Sequence, residues 1–389
     1  MNTMHSIAII GAGPAGLATA MRLKEEGFDS SVLEEHEKVG LPEHCSGLIS
    51  KKGVVELGLH LGDSLQNEVK GAKIFSPNGT MVKVERPETV AYVVDRKKFD
   101  LMLLRRARLM NIHVATHTKL IDIRKNPKLP ESTLFVQVEG RGELRKAEHI
   151  IGADGAMSMV RHLMGVKTNK DQFVHTMQAT CTGKFDKHFV HIYFGDYSKG
   201  FFAWMIPIGE DKAKIGLGSS LGDNIADSFD RFLKDKFPGV THGTVQSALI
   251  PCGAPLSGIT KNNVTLVGDS AFHTKATTGG GVIFGIKSGN ILAETLADVF
   301  NGKAGLNDYE KRLAPLYKEL RMHWKLRRYA NSISNEEMDK LFMKLKEKGI
   351  EEFLNKEGDM DSPSTFIGKL ATNPKYWFMA KTLIDIARA

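Results

Sequence analysis

The stretch SIAIIGAGPAGLATAMRLKEEGFDSSVLE, residues 6–34, packs a strand, a glycine turn, a helix and a second strand into 29 residues. Ser6 to Ile10 read as a short buried strand, apolar without alternation. Apolar residues then recur at helical spacing to about Glu26, and Gly27 stands where a helix C-terminus should be. Ser30 to Leu33 form the second strand, so the opening unit is βαβ. Between strand and helix lie Gly11, Gly13, Pro14, Ala15 and Gly16. The first glycine permits a tight turn, the second lets backbone approach a pyrophosphate, and the third lets helix pack close to strand. The helix N-terminus offers N–H groups and a partial positive charge to phosphates. Glu34 follows Gly11 by 23 residues, where a carboxylate can accept hydrogen bonds from a ribose diol. These positions are the expected dinucleotide contacts.

The rest of the chain bounds the answer. Its 389 residues suffice for two or three domains, and its 42% hydrophobic and 25% charged residues are ordinary for a soluble protein. Cys45, Cys181 and Cys252 are the three cysteines, too few for a disulfide framework and too widely spaced for the usual zinc-ligand pairs. This points to a reducing cytoplasm and no metal. No secretory signal opens the chain, and no apolar run reaches the length of a membrane span. The net charge of +8 lacks the interleaved aromatics of a nucleic-acid binder. It suits phosphate-bearing ligands or peripheral contact with the inner face of the membrane, and equally a plain solvated surface.

Further along, residues 99–110 read as a helix, and residues 112–115, 134–138 and 148–151 as strands. Between about 174 and 220 the pattern alternates like antiparallel strands. The expected organisation is a discontinuous nucleotide domain (1–70, 95–170, 250–305), an inserted sheet domain (71–94, 171–249) and a helical region (306–389). Residues 311–328 hold seven basic residues against one acid, a candidate contact for lipid headgroups. Tyr376, Met379, Ala380, Leu383 and Ala387 are spaced as one helical face.

Two distant segments decide between nicotinamide and flavin. IGADGAMSMVR (151–161) has an Asp-Gly turn after a strand, and TLVGDSAFHTKATTGGGVIFGIKSG (265–289) sets Asp269 after a strand and three glycines before a helix. In this order the three segments resemble the flavoprotein superfamily of aromatic hydroxylases and geranylgeranyl reductases. The resemblance implies FAD as cofactor and a p-hydroxybenzoate hydroxylase-like α/β fold, Rossmann-type, with an inserted, mostly antiparallel substrate sheet. It implies cofactor contacts from Arg96, Leu120, Asp154, Gly268, Asp269, Gly280, Gly281 and Val282. A helix N-terminus at Gly281 and Val282 would stabilise the negative charge of a reduced flavin. Phe272 stands where the family has a small residue and would narrow the space beside the flavin. His273 is a candidate proton donor, set against the plainer role of a local hydrogen-bonder.

Pro42-x-x-Cys45-x-Gly47 separates the branches. Geranylgeranyl reductases carry such a stretch; hydroxylases generally do not. The resemblance implies that Cys45 lies beside the flavin ring as a catalytic residue and that Ser46, Gly47 and Leu48 touch the cofactor. Phe202-Ala203-Trp204-Met205-Ile206-Pro207, then eight residues, then Gly216-Leu217-Gly218, follows the spacing of a second family signature. Phe202, Trp204 and Ile206 share one strand face, an apolar wall for a polyprenyl chain, with Pro207, Gly216 and Gly218 assigned to the same substrate site. Phe202 replaces the family's tyrosine and removes a hydroxyl.

The implied activity is saturation of C=C bonds in geranylgeranyl chains of a polyprenyl glycerophospholipid, with NADPH, ferredoxin or a quinol as electron donor. The rivals are an FAD-dependent aromatic monooxygenase or halogenase, and a flavin electron carrier without its own substrate.

Overall fold

The computed structural model describes residues 6–125, 132–379, 382 and 384–386. Residues 1–5, and Ala380, Leu383 and Ala387 of the expected terminal face, lie outside the described residues. Tyr376 and Met379 of that face are buried.

The strand Ile7–Ile10 is buried at every position, which is why its sequence does not alternate. It lies inside a six-stranded sheet of order 260–261, 264–266, 149–152, 7–10, 30–33, 113–115. All pairings are parallel except at the 260–261 edge. The helices Pro14–Glu25 and Val282–Phe300 pack together on this sheet. A Cβ on Gly289 would meet Thr19 Oγ1 at 2.2 Å, so glycine sets how closely the two helices approach. Both helix N-termini therefore emerge at the C-terminal ends of the parallel strands, where α/β sheets place their ligands.

A second sheet follows the order 241–242, 173–182, 212–220, 203–207, 189–193, 71–75, 81–85, with 246–251 also paired to 173–182. It is antiparallel except between 189–193 and 71–75. The helix Ile225–Lys236 covers one face through Phe229, Phe232 and Leu233; the other face turns to the cavity. Residues 48–50, 91–94 and 65–69 form a small sheet between the two large ones. Helices from Asp308 to Thr372 and a short helical turn at Pro374–Met379 follow. The expected architecture, a Rossmann-type unit with an inserted antiparallel sheet and a helical C-terminal region, is the one observed.

Candidate active site

The two sheets enclose a cavity of about 480 Å³, within the range of small-molecule sites. Its first wall is the opening turn. Gly11 has φ +104°, and a Cβ there would lie 2.4 Å from the Ala153 carbonyl oxygen. A Cβ on Gly16 would lie 2.1 Å from the Gly11 carbonyl oxygen. These two glycines shape the turn and do not face the cavity. Gly13, Pro14 and Ala15 do, and a Cβ on Gly13 would meet nothing within 4 Å. No side chain caps the helix at Gly13, so its first N–H groups stay available to an anion. Glu34 is buried; one oxygen accepts from Ala12 N at 2.8 Å, the other from His36 N at 3.0 Å and lies 2.6 Å from His36 Nδ1. A carboxylate has about four acceptor sites, so about one remains for a ligand hydroxyl. Open space, an uncapped helix and a spare carboxylate lone pair fit the diphosphate and ribose of a dinucleotide.

The second helix N-terminus repeats the arrangement. No side chain caps Gly281. Gly268, Asp269, Gly280, Gly281 and Val282 all line the cavity. Asp269 accepts from Thr274 Oγ1 at 2.9 Å, and burial raises its pKa. A Cβ on Gly281 would fall 2.3 Å from Asp269 Oδ1, so glycine is required where carboxylate and helix end meet.

Between these ends runs the cysteine loop. Cys45, Ser46 and Leu48 line the cavity. Cys45 is half-buried, and its Sγ accepts from Gly47 N at 3.4 Å. Gly47 (φ +81°) backs onto Val94, whose carbonyl oxygen a Cβ would approach to 2.1 Å; it shapes the loop rather than the cavity. Arg96 donates to Asp100 twice, at 3.0 Å each. Burial opposes its charge, but Asp100 and then Cys45 outweigh this and raise its pKa. It is thus neither a surface arginine nor a free one. Lys214, buried on the second sheet, donates to the Cys45 carbonyl oxygen at 3.0 Å and ion-pairs with Glu43, which fixes the loop to the sheet.

Phe202, Trp204 and Ile206 line the far wall, joined by Phe201, Ile192 and Ile250. Pro207, Gly216 and Gly218 do not reach the cavity, contrary to expectation. A Cβ on Gly216 would meet Trp204 Cζ2 at 2.6 Å, and one on Gly218 would meet Phe201 Cδ1 at 2.6 Å. The Gly-x-Gly pair therefore makes room for the rings that form the wall.

Four further expectations are corrected. Leu120 is buried in the hydrophobic core, away from the cavity. Asp154 turns inward, accepting from Ser158 Oγ at 2.6 Å and Val160 N at 3.0 Å, while its neighbours Ala153 and Gly155 line the cavity. Phe272 adopts φ +60° and is buried edge-on to Phe173, so it does not narrow the cavity. His273 is fully buried, with Nε2 3.3 Å from Tyr317 Oη, and burial drives its pKa down to about 3. A neutral ring sealed from the cavity is no proton donor. The basic stretch is not one free surface either: Arg327 is buried and donates to the Gly200 and Cys252 carbonyls, and Arg312 pairs with Asp298 at 2.6 Å.

One feature was not foreseen. Lys275 lines the cavity and pairs with Asp361 at 2.7 Å; both are buried, and Ser50 Oγ also donates to Asp361. Burial opposes the Asp361 charge, but Lys275 and Ser50 outweigh it and lower the carboxyl's pKa. Lys52 holds Asp359 at 2.7 Å, and Met360, between the two acids, lines the cavity. The C-terminal region thus closes one side of the site. Lys275 sits inside the glycine-led motif and was open to notice; Asp361 had no local signal.

Fold and site together define a flavoprotein, of the class of FAD-dependent oxidoreductases. The chain belongs to the family described as FAD binding domain, whose model matches residues 4–217. An uncharacterised protein of Methanocaldococcus jannaschii is 31% identical over 372 residues, 92% of each chain. The digeranylgeranylglycerophospholipid reductase of Methanococcus vannielii is 26% identical over 79% of this chain and 82% of its own. Among solved structures, a geranylgeranyl bacteriochlorophyll reductase-like protein of Thermoplasma acidophilum superposes with a TM-score of 0.86 at 21% identity, covering 98% of this chain and 100% of its own. The likeness to geranylgeranyl reductases read from the cysteine loop and the sheet motif is met again in these names. Among the described residues no helix is long and apolar enough to cross a membrane.

Proposed function

We propose that this protein saturates isolated C=C bonds in the prenyl chains of a membrane lipid of the digeranylgeranylglycerophospholipid type. The observation that carries the reading is one cavity joining the turn at Gly13, the Cys45 loop and the aromatic sheet face. Gly13, Pro14, Ala15 and Glu34 hold the diphosphate and ribose. Arg96, Asp269, Gly281 and Val282, which line the same cavity, would offer charge and dipole to the flavin ring. Bound FAD, in its reduced form, supplies a hydride and so the two electrons of the reduction. Phe202, Trp204 and Ile206 align the alkene and keep water away. The second carbon takes a proton from water or from the Cys45 thiol, which lines the same cavity. NADPH, ferredoxin or a quinol restores the reduced state. The net charge of +8 supports docking on an anionic leaflet, from which the chain is drawn.

The test is anaerobic. Reduced holoprotein mixed with digeranylgeranylglyceryl phosphate should return lipid heavier by about 2 Da per saturated bond, with matching flavin oxidation. A gain of about 16 Da that requires oxygen would instead establish a monooxygenase, and unchanged lipid with flavin that stays reduced until a separate electron acceptor is added a carrier.

A further inference from the structure

The strand 212–220 puts a charged side chain on the face that walls the cavity. Gln178, from strand 173–182, and Trp204 and Ile206, from strand 203–207, line that cavity. The register sets Gly216 between Gln178 and Trp204, and Lys214 directly opposite Ile206. Residues directly opposite share a face, so Lys214 stands on the wall's own face. It is 5% exposed. An ammonium buried there is costly unless it is paired. Its Nζ finds two partners, and both belong to the cysteine loop: the Glu43 carboxylate and the Cys45 carbonyl oxygen, the latter at 3.0 Å.

The loop's other flank is held by backbone. Val94 N donates to the Gly47 carbonyl oxygen at 2.9 Å, and Gly47 N to the Cys45 Sγ at 3.4 Å. Residue 45 is therefore anchored twice, at its carbonyl by Lys214 and at its sulfur by Gly47. Glu43 and Cys45 line the cavity, whereas Lys214 does not. The lysine acts through the loop and not on a ligand.

We propose that Lys214 is a positioning residue for Cys45. By holding the carbonyl oxygen it fixes where the thiol stands relative to Ile206 and Trp204, and so to a prenyl chain lying on them. The proposal rests on the prenyl-reductase reading of the cavity. The plainer role, neutralising Glu43, makes a different demand: two neutral side chains of similar size meet it equally well, but they leave the Cys45 carbonyl without its charged donor.

Glu43→Gln combined with Lys214→Met separates the two roles. It removes opposite charges together, so the net charge beside the thiol is unchanged and maleimide alkylation reports the loop. In the FAD holoprotein at pH 8, Cys45 should be alkylated about ten-fold faster than in the parent. Anaerobic turnover of digeranylgeranylglyceryl phosphate should fall about ten-fold, while the urea midpoint and FAD retention stay those of the parent. Lys214→Met alone supplies the turnover comparison if the paired variant does not fold. Turnover at the parent's rate overturns the proposal and leaves Lys214 a counter-ion. A parent that reduces no lipid fails the reductase reading itself. Alkylation then decides the lysine's role alone: a ten-fold rise supports the anchor, and the parent's rate overturns it.

Discussion

The two walls of the cavity are built from different material. The nucleotide wall is mostly backbone: a glycine turn and two uncapped helix ends, with the carboxylates of Glu34 and Asp269 beside them. The opposite wall is side chain: aromatic rings, isoleucines and an amide drawn from four strands and their lead-ins, closed by a lysine–aspartate pair that joins positions 275 and 361. Backbone geometry tolerates no added atoms where it is tight and any small residue where it is open. Side-chain walls fail when a partner is lost. Substitutions should therefore act in opposite ways on the two sides.

The largest effect is expected at the buried pair. Lys275→Met leaves the Asp361 carboxylate buried with Ser50 alone and should cost about 3–5 kcal/mol in urea unfolding. Lys275→Met with Asp361→Leu should recover most of it, since an apolar pair of similar size replaces two charges. A single variant as stable as the parent would show that this wall is not held by charge.

On the nucleotide side, Gly11 and Gly13 should separate cleanly. Gly11→Ala meets both a positive φ and the Ala153 carbonyl oxygen, so the FAD-free protein should lose roughly 2–4 kcal/mol. Gly13→Ala enters open space; the FAD-free protein should stay within about 0.5 kcal/mol of the parent while FAD retention after dialysis falls. Equal effects at the two positions would erase the distinction between glycine as hinge and glycine as clearance.

Acid tests the sheet that carries the nucleotide wall. Burial takes His149 down to about 3, so the folded chain refuses a proton that the unfolded chain accepts below about 6.5. The contribution is complete above that value and is lost as pH falls toward about 3, at about 1.4 kcal/mol per pH unit. His149→Asn should flatten the stability–pH slope between pH 6 and 4 by that amount; an unchanged slope would contradict the assignment.

The smallest structural effect belongs to Cys45. Burial pushes Cys181 up to about 11 and Cys252 to about 12, whereas Cys45 is half-buried at the cavity. One thiol should react with a maleimide at pH 8 in the native protein, and none in Cys45→Ala. That variant should fold within about 1 kcal/mol of the parent yet reduce alkenes more slowly. Unchanged turnover would leave the thiol as filler.

The same difference in material explains what the sequence showed. Gly11 to Gly16 and Glu34 were legible because a backbone site is written in consecutive residues whose spacing is set by one turn and one helix. Cys45, Trp204 and Asp269 were legible through motif spacing. Gly216 and Gly218 were seen but misplaced, because a glycine that admits a neighbour's ring looks, in sequence, like one that admits a ligand. Asp154 sits between two cavity residues but is turned inward by Ser158 and Val160, and Leu120 lies in the core on a strand from which no residue lines the cavity. Asp361 and Gln178 were invisible: their partners lie 86 and 68 residues off, and nothing local marks a side chain whose role is set by tertiary contact.

The central claim is that ring and prenyl chain meet in this cavity, and the most direct measurement is a crystal structure with FAD and geranylgeraniol bound. The account predicts the flavin ring between the Cys45 loop and the Gly281–Val282 helix end, with the chain running along Phe202 and Trp204. A ring lying elsewhere, or a chain bound outside the aromatic wall, would contradict it.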